Sequence, residues 1–216
     1  MSGGVAQALE WLQAAAFTAW GVPVSRAESL AFVLALWMVR CNLRVNPLAW
    51  PLAIASSALY ALLFANSRLY GEALLQLVFI AAALWGWWQW LRGTQDDGRA
   101  LQVRHLDRQG LLWLCAVTLA AWPLAGWLLA RLTDSDVPYA DAFTTVASLA
   151  GQWLLGRKYV QNWPAWLLVN VASVALFAFK GLWLTVLLYA LFALLSAVGW
   201  RRWARLAREP RALASA

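Results

Sequence analysis

The 216-residue sequence predicts an all-α membrane protein with seven transmembrane helices, and three observations carry that expectation. Hydrophobic residues make up 63% of the chain and charged residues only 12%, about half the charged fraction of a soluble globular domain. The mean hydropathy is +0.60, and 17 residues are Trp, a side chain that gathers at membrane–water interfaces. Seven apolar runs approach the ~20 residues needed to cross a bilayer, and Lys and Arg sit in the gaps between them. One core cannot hide that much apolar surface from water. The composition therefore excludes a cytosolic enzyme, a disordered chain and a secreted disulfide scaffold.

Residues 1–24 read as an N-terminal amphipathic or interfacial segment. Val5 to Trp20 is apolar but short for a span, and no Lys or Arg precedes it as a secretory signal requires; it is expected as a helix lying in the interface or on the bundle. The first bundle occupies 25–91. Its first span, Ser25 to Val39, opens with Ser25 and Glu28 at capping-box spacing. The second, Pro47 to Ala65, starts on a proline whose missing amide costs nothing at a helix start, and the third runs from Tyr70 to Leu91. Residues 92–138 hold a polar stretch, Arg92 to Gln109, and a linker span, Gly110 to Ala130. The second bundle, 139–203, contains Tyr139 to Leu155, Trp163 to Phe179 and Leu182 to Trp200, and 204–216 form a basic tail. Cys41 and Cys115, without metal-ligand spacing, read as small buried hydrophobes.

Orientation follows from the cations. Arg26, Arg68, Arg131 and Lys180 fall on one side of seven crossings, and the other 13 of the 17 Lys and Arg residues fall on the opposite side. Positive loops stay cytoplasmic, so the N-terminus is expected outside and the C-terminus inside. The net charge of +7 then has a topological origin, and no nucleic-acid partner is expected.

An internal repeat is visible. Trp37, Asn46 and Ala49-Trp50 match Trp153, Asn162 and Ala165-Trp166 at an offset of 116. Leu69, Phe79, Gly86-Trp87 and Trp90 match Leu182, Phe192, Gly199-Trp200 and Trp203 at an offset of 113. A three-residue insertion reconciles the two. The linker span restores direction between the copies, which gives a three-plus-one-plus-three parallel architecture.

Polar side chains at membrane depth are the candidate ligand contacts. Asn170 lies near the middle of the sixth span, and its amide both donates and accepts. Gln76 and Tyr189 are repeat-related, and the faces Glu72, Gln76, Phe79 and Thr185, Tyr189, Phe192 match by helical spacing. The alternative role for each is a hydrogen bond to a neighbouring helix. Trp85, Trp87, Trp88, Trp90, Trp163, Trp166, Trp200 and Trp203 fall near span ends, where most are expected to form an interface belt. Glu72 reads as a solvated or ion-paired acid near the outer mouth, and Lys180 as a snorkelling or carbonyl-capping lysine in an outer turn. The single histidine, His105, lies in the polar loop, so His-based triads and intramembrane His metal sites lack their parts. There is no phosphate-binding G-x-x-x-x-G-K-[ST] loop, and no cofactor or metal is expected.

The stretch Arg157-Lys158-Tyr159-Val160-Gln161-Asn162-Trp163, continuing through Trp166 to Asn170, resembles the PnuC family of bacterial vitamin transporters, with Trp163, Trp166 and Asn170 in a W-x-x-W-x-x-x-[ND] signature. Leu69-Tyr70 through Gln76 to Trp90 is similar to the family's third span, and Tyr189 falls where members carry a tyrosine. The family's Tyr-Gly-Trp-Tyr is replaced here by Trp85-Gly86-Trp87-Trp88. The resemblance implies a full-length SWEET-like fold and a trimer. It also implies facilitated diffusion of nicotinamide riboside across the bacterial inner membrane, with net uptake sustained by intracellular phosphorylation; relatives carry thiamine or riboflavin. It makes Asn170, Gln76, Tyr189, Trp166, Trp163 and Trp87 the expected substrate-binding residues. A receptor or assembly subunit that binds without transporting is the alternative from another class. A membrane-embedded enzyme comes third, weakened by the missing histidine and acid pairs.

The charge asymmetry predicts topology. A reporter fused after the basic tail should be active in the cytoplasm, and activity confined to the periplasm would reverse the assigned orientation.

Overall fold

The computed structural model describes residues 7, 10–12, 14–19, 21–66, 70–95, 98–133, 135–179 and 183–208. Their elements run in the order β1 (Ala15–Ala19), β2 (Val22–Ser25), α1 (Arg26–Leu43), α2 (Ala49–Asn66), α3 (Tyr70–Arg92), α4 (Arg108–Leu132), α5 (Pro138–Gly156), α6 (Asn162–Phe179) and α7 (Trp183–Arg208). The chain divides into two units, residues 1–91 and 92–216. Arg68, Leu69, Lys180, Leu182 and the tail beyond 208, together with the side chains of Glu28, Glu72 and Thr185, lie outside the described residues.

Of the helix expected over Val5 to Trp20, the described residues 7 and 10–12 are helical, and from Ala15 the chain instead forms a hairpin. β1 and β2 are antiparallel, Ala15 facing Ser25 and Ala19 facing Val22, with a bulge between Ala15 and Phe17. Gly21 sits at φ +80°, a conformation glycine adopts without steric cost, while Phe17 and Thr18 favour extended backbone. The strand leads directly into α1, whose Arg26 guanidinium lies 4.6 Å from the centre of the Trp11 ring.

Four described helical segments are long and apolar enough to cross a membrane: Leu74–Arg92, Arg108–Leu132, Asn162–Phe179 and Val186–Arg208. Ser29–Leu43 and Ala49–Leu62 are shorter apolar stretches within α1 and α2. α5 does not reach that hydropathy, and its packing supplies the reason. It touches both α4 and α6 and buries Ala142, Ala147, Ser148, Gly151, Leu154 and Leu155, so protein covers much of it and polar residues such as Thr144, Ser148 and Gln152 are tolerated. α4 is the opposite case. Gly126 is its one buried residue, and Leu112, Trp113, Val117, Leu124 and Trp127 are exposed along it. Cys115, expected to be buried, is exposed on this helix; a thiol is apolar enough to face lipid. Cys41 is buried as expected.

Each unit contains the same helix junction. In the first, the Asn46 amide donates to the Cys41 carbonyl and the Val45 amide to that of Asn42; in the second, Tyr159 donates to Leu154 and Lys158 to Leu155. These are Schellman closures, which need a left-handed residue after the helix, and Val45 and Lys158 adopt it at φ 55° and 56°. The next helix then presents a Trp-Pro pair, Trp50-Pro51 or Trp163-Pro164. The Trp50 ring lies against the Gly86 backbone and the Trp163 ring against Gly199, in each case where a Cβ would stand. Trp90 meets Trp50 edge-on at 5.4 Å, and Trp203 meets Trp163 edge-on at 5.7 Å. Every one of these correspondences has the offset 113. Trp50 is therefore the counterpart of Trp163 and not of Trp166, and the insertion invoked to reconcile two offsets is unnecessary.

The same contacts correct the expected interface belt. Trp90, Trp163 and Trp203 are buried in helix–helix packing, as is Trp50, whereas Trp88 and Trp200 are exposed near the same helix ends. Position along a span cannot separate these roles, because a helix puts a buried and an exposed residue one position apart.

Adding a methyl at either glycine forces an indole off the backbone, and such overpacking costs about 1–3 kcal/mol. Gly86→Ala and Gly199→Ala should each lower the melting temperature of the detergent-purified protein. Val45→Gly should raise it, since the left-handed conformation costs a non-glycine residue about 1–2 kcal/mol. Unchanged melting in both alanine variants would contradict the ring-on-backbone contact.

Candidate functional site

α6 and α7 meet along a seam with one spacing. On α6 the positions at that spacing are Trp163, Trp166, Asn170, Ser173 and Phe177, of which Trp163, Asn170 and Phe177 contact α7, and on α7 they are Tyr189, Phe192, Ser196, Gly199 and Trp203. Both follow the three-four alternation that keeps one stripe of a helix against its partner. The helices are antiparallel: Trp163 contacts Gly199 and Trp203, Asn170 contacts Ser196, and Phe177 contacts Tyr189.

Asn170 is 5% exposed. Its Nδ2 donates to Ser196 Oγ at 3.2 Å, and Ser196 Oγ donates to the Phe192 carbonyl at 2.8 Å. Among the described residues, the Asn170 carbonyl oxygen accepts no hydrogen bond. Tyr189, half-buried, stacks on Phe177 with ring centres 5.2 Å apart and meets Phe192 edge-on at 6.2 Å. Trp166 is half-buried and turns towards α5, where its ring approaches the Cβ position of Gly151 at 3.3 Å. Trp163 is sealed in the seam at 3% exposure, and its indole N–H has no partner among the described residues. The second unit thus gathers four of the six expected residues, Trp163, Trp166, Asn170 and Tyr189. Gln76 and Trp87 stand half-buried on α3 in the first unit.

Sequence reasoning misses two features. Ser196 is one, although it lies one heptad after Tyr189. The other is a strap: residues 101–106 run along 158–161, just before α6. The Arg104 amide donates to the Lys158 carbonyl at 3.2 Å and the Val160 amide to the Arg104 carbonyl at 2.9 Å. The Arg104 guanidinium lies 5.0 Å from the centre of the Tyr159 ring and donates to its hydroxyl. The Gln161 side chain both accepts from the Leu106 amide and donates to the Leu106 carbonyl. Lys158 Nζ donates to the Leu101 carbonyl at 3.0 Å, and burial pushes its ammonium below the ordinary lysine pKa. An apolar cavity of about 270 Å³ opens elsewhere in this unit, lined by Trp122, Ala140, Phe143, Thr144, Ala172 and Leu176. It includes none of the expected residues.

Comparison with known proteins gives concordant matches. The model of a family described as nicotinamide mononucleotide transporter matches residues 25–205. The nicotinamide riboside transporter PnuC of Escherichia coli strain K12 is 30% identical over 175 residues, covering 70% of this chain and 73% of that protein. The riboflavin/roseoflavin transporter RibM of Streptomyces davaonensis is 28% identical over 200 residues, covering 90% and 92%. The crystal structure of the vitamin B3 transporter PnuC superposes with a TM-score of 0.68 at 22% identity, covering 84% of this chain and 81% of that one; at that identity it shows the shared fold.

Removing the Gln161 amide should loosen the strap. Gln161→Leu is expected to cost about 1–3 kcal/mol through the unmet Leu106 backbone groups and to speed hydrogen exchange at the Leu106 amide. Unaltered exchange there would show that the pairing does not protect the loop.

Proposed function

The chain belongs to the nicotinamide mononucleotide transporter family, and from that premise we propose that it is a multi-pass inner-membrane uniporter that imports nicotinamide riboside. The observation that carries the choice of substrate is the 30% identity to a nicotinamide riboside transporter. A second reading, riboflavin, is favoured by the relative that covers nine-tenths of this chain. Both ligands join a flat ring to a hydroxylated sugar-derived group, ribose or ribityl, and a neutral amide beside aromatic side chains suits that chemistry.

In the proposed pathway Asn170 accepts or donates a hydrogen bond at membrane depth, Gln76 and Tyr189 add polar contacts, and Trp166 and Trp87 supply ring surface, while Trp163, covered by Gly199 and Trp203, contributes by holding α6 in register. The matched Trp–Gly–Trp contacts support a duplicated seven-span architecture of two three-helix bundles joined by α4, in the SWEET-like arrangement, and assembly as a homotrimer goes with the same proposal. Orientation with the C-terminus in the cytoplasm follows from the charge asymmetry. Equilibrative transport is supported by the placement of acids: Asp107 caps α4, Asp141 lies in the first turn of α5, and Glu28 and Glu72 fall near helix starts. None lies where a coupling ion would cross mid-membrane. Phosphorylation of the imported nucleoside would then sustain net uptake.

Purified protein in liposomes without an energy source tests this reading. Nicotinamide riboside should equilibrate and not concentrate, and Asn170→Leu should weaken its binding by roughly 5- to 150-fold, the equivalent of a buried polar group left unpaired. An interhelical hydrogen bond is worth only ~0.6 kcal/mol on average, so the melting temperature should move little. Accumulation above the external level under a proton or sodium gradient would overturn uniport. Binding of riboflavin in preference would select the second substrate.

A further inference from the structure

We propose that Ser196 is a positioning residue for ligand recognition: its hydroxyl holds the Asn170 amide so that Asn170 meets the ligand as a hydrogen-bond acceptor. The inference rests on the reading that Asn170 contacts the ligand.

A serine hydroxyl has one proton. In Ser196 that proton goes to the Phe192 carbonyl one turn back, so the oxygen offers the neighbouring helix only lone pairs. The group of Asn170 that faces it must then be the NH₂, at 3.2 Å. The amide's orientation follows from this committed proton and does not depend on telling nitrogen from oxygen. With NH₂ tied to α7, the carbonyl oxygen points away from Ser196 and accepts no hydrogen bond among the described residues. It is not one of the fully enclosed unsatisfied atoms, a set that includes Asn162 Oδ1 and Trp163 Nε1. An acceptor with no partner among the described residues fits a donor arriving with the ligand, such as a carboxamide NH₂ or a ribose hydroxyl.

The first unit shows that packing does not require the hydroxyl. At the offset of 113, Ser57 and Ala83 occupy the positions of Asn170 and Ser196, and Ala83 is buried at 1% exposure. Alanine is thus buried at the matching position of the first unit. The polar pair is confined to α6 and α7, which makes orientation of one amide its distinguishing consequence.

The test measures nicotinamide riboside affinity and melting temperature for Ser196→Ala, Ser196→Thr, Asn170→Leu and the double variant Ser196→Ala/Asn170→Leu. Ser196→Ala should bind roughly 3- to 30-fold more weakly, the scale of coupling between residues in one hydrogen-bond network. Ser196→Thr, whose hydroxyl makes the same bond one turn back, should restore affinity to near the unmodified protein. The double variant should bind no more weakly than Asn170→Leu alone, because Ser196 acts through Asn170. If Asn170→Leu weakens binding and Ser196→Ala does not, positioning by Ser196 is wrong while the site stands. If the two losses add, Ser196 acts independently and the proposal fails. If Asn170→Leu leaves affinity unchanged, the site itself is misassigned and the proposal falls with it. Should Ser196→Ala prove unstable, the threonine variant decides: weakened binding at unchanged melting temperature overturns the proposal.

Discussion

An indole ring laid on bare glycine backbone is the contact on which the rest of this structure depends. Lipid is as apolar as a leucine side chain, so burial gives helices inside a membrane little reason to associate; close packing and interhelical hydrogen bonds must supply it. Trp50 on Gly86 and Trp163 on Gly199 supply that packing at matched places in the two units. Each large flat side chain fills the hollow left by an absent one, and a second indole, Trp90 or Trp203, closes the contact edge-on. The register of α6 against α7 follows. With Trp163 fixed on Gly199, a heptad-spaced seam brings Asn170 level with Ser196 and Phe177 level with Tyr189. A one-residue slip would turn the amide away from the hydroxyl, so the polar chemistry inherits its geometry from the aromatic lock.

The strap acts upstream of that lock. α6 starts immediately after the Schellman turn, whose left-handed residue Lys158 holds the strap through Leu101, while Tyr159, Val160 and Gln161 bind Arg104 and Leu106. The Asn162 amide group bonds the Tyr159 carbonyl within the same turn. Residues that open α6 are therefore tied to a polar loop more than fifty positions earlier in sequence. The stretch from Arg157 to Asn170 spans both functions: its basic and polar first half receives the strap, and its second half places Trp163 and Asn170 in the seam.

Helix existence is legible in the sequence because a bilayer demands long apolar runs, and that demand outweighs local propensity. What such runs hide is which side of each helix meets protein. Trp90 and Trp203 look like interfacial tryptophans by position, yet both are buried, because glycine four residues earlier opens a contact that composition does not reveal. Cys115 looks like a core residue by type and is exposed on α4, because a lipid-facing surface accepts what a soluble surface would not. α5 is the converse, a helix too polar for a fully lipid-facing span but packed along one side against α4 and α6. The N-terminal hairpin is missed because an apolar stretch without periodicity is ambiguous between helix and strand, and Gly21 with Pro23 decides it. The repeat is visible in Trp and Gly, but its register is resolved only by contacts: Trp163 and Trp166 are three residues apart, and the partner glycine identifies which one corresponds to Trp50. Asn170 is conspicuous at membrane depth, whereas Ser196 is not, since serine among Ala and Leu is ordinary in a membrane helix.

These features together bear on why a passive carrier would use a neutral amide. An ionised carboxylate at membrane depth needs a compensating charge or proton, and that compensation is what couples a transporter to an ion gradient. An amide needs none. Its cost is conformational, because a free amide presents donor and acceptor in either order and ligand binding must select one. If Asn170 meets the ligand as proposed, tying its NH₂ to a hydroxyl whose own proton is already committed would remove that choice before the ligand arrives, leaving an acceptor at a position set by the helix seam. Preorganisation of this kind lowers the ordering cost of binding without adding charge. On the proposed uniport reading, such a site would carry no charge that has to be balanced on either side of the membrane.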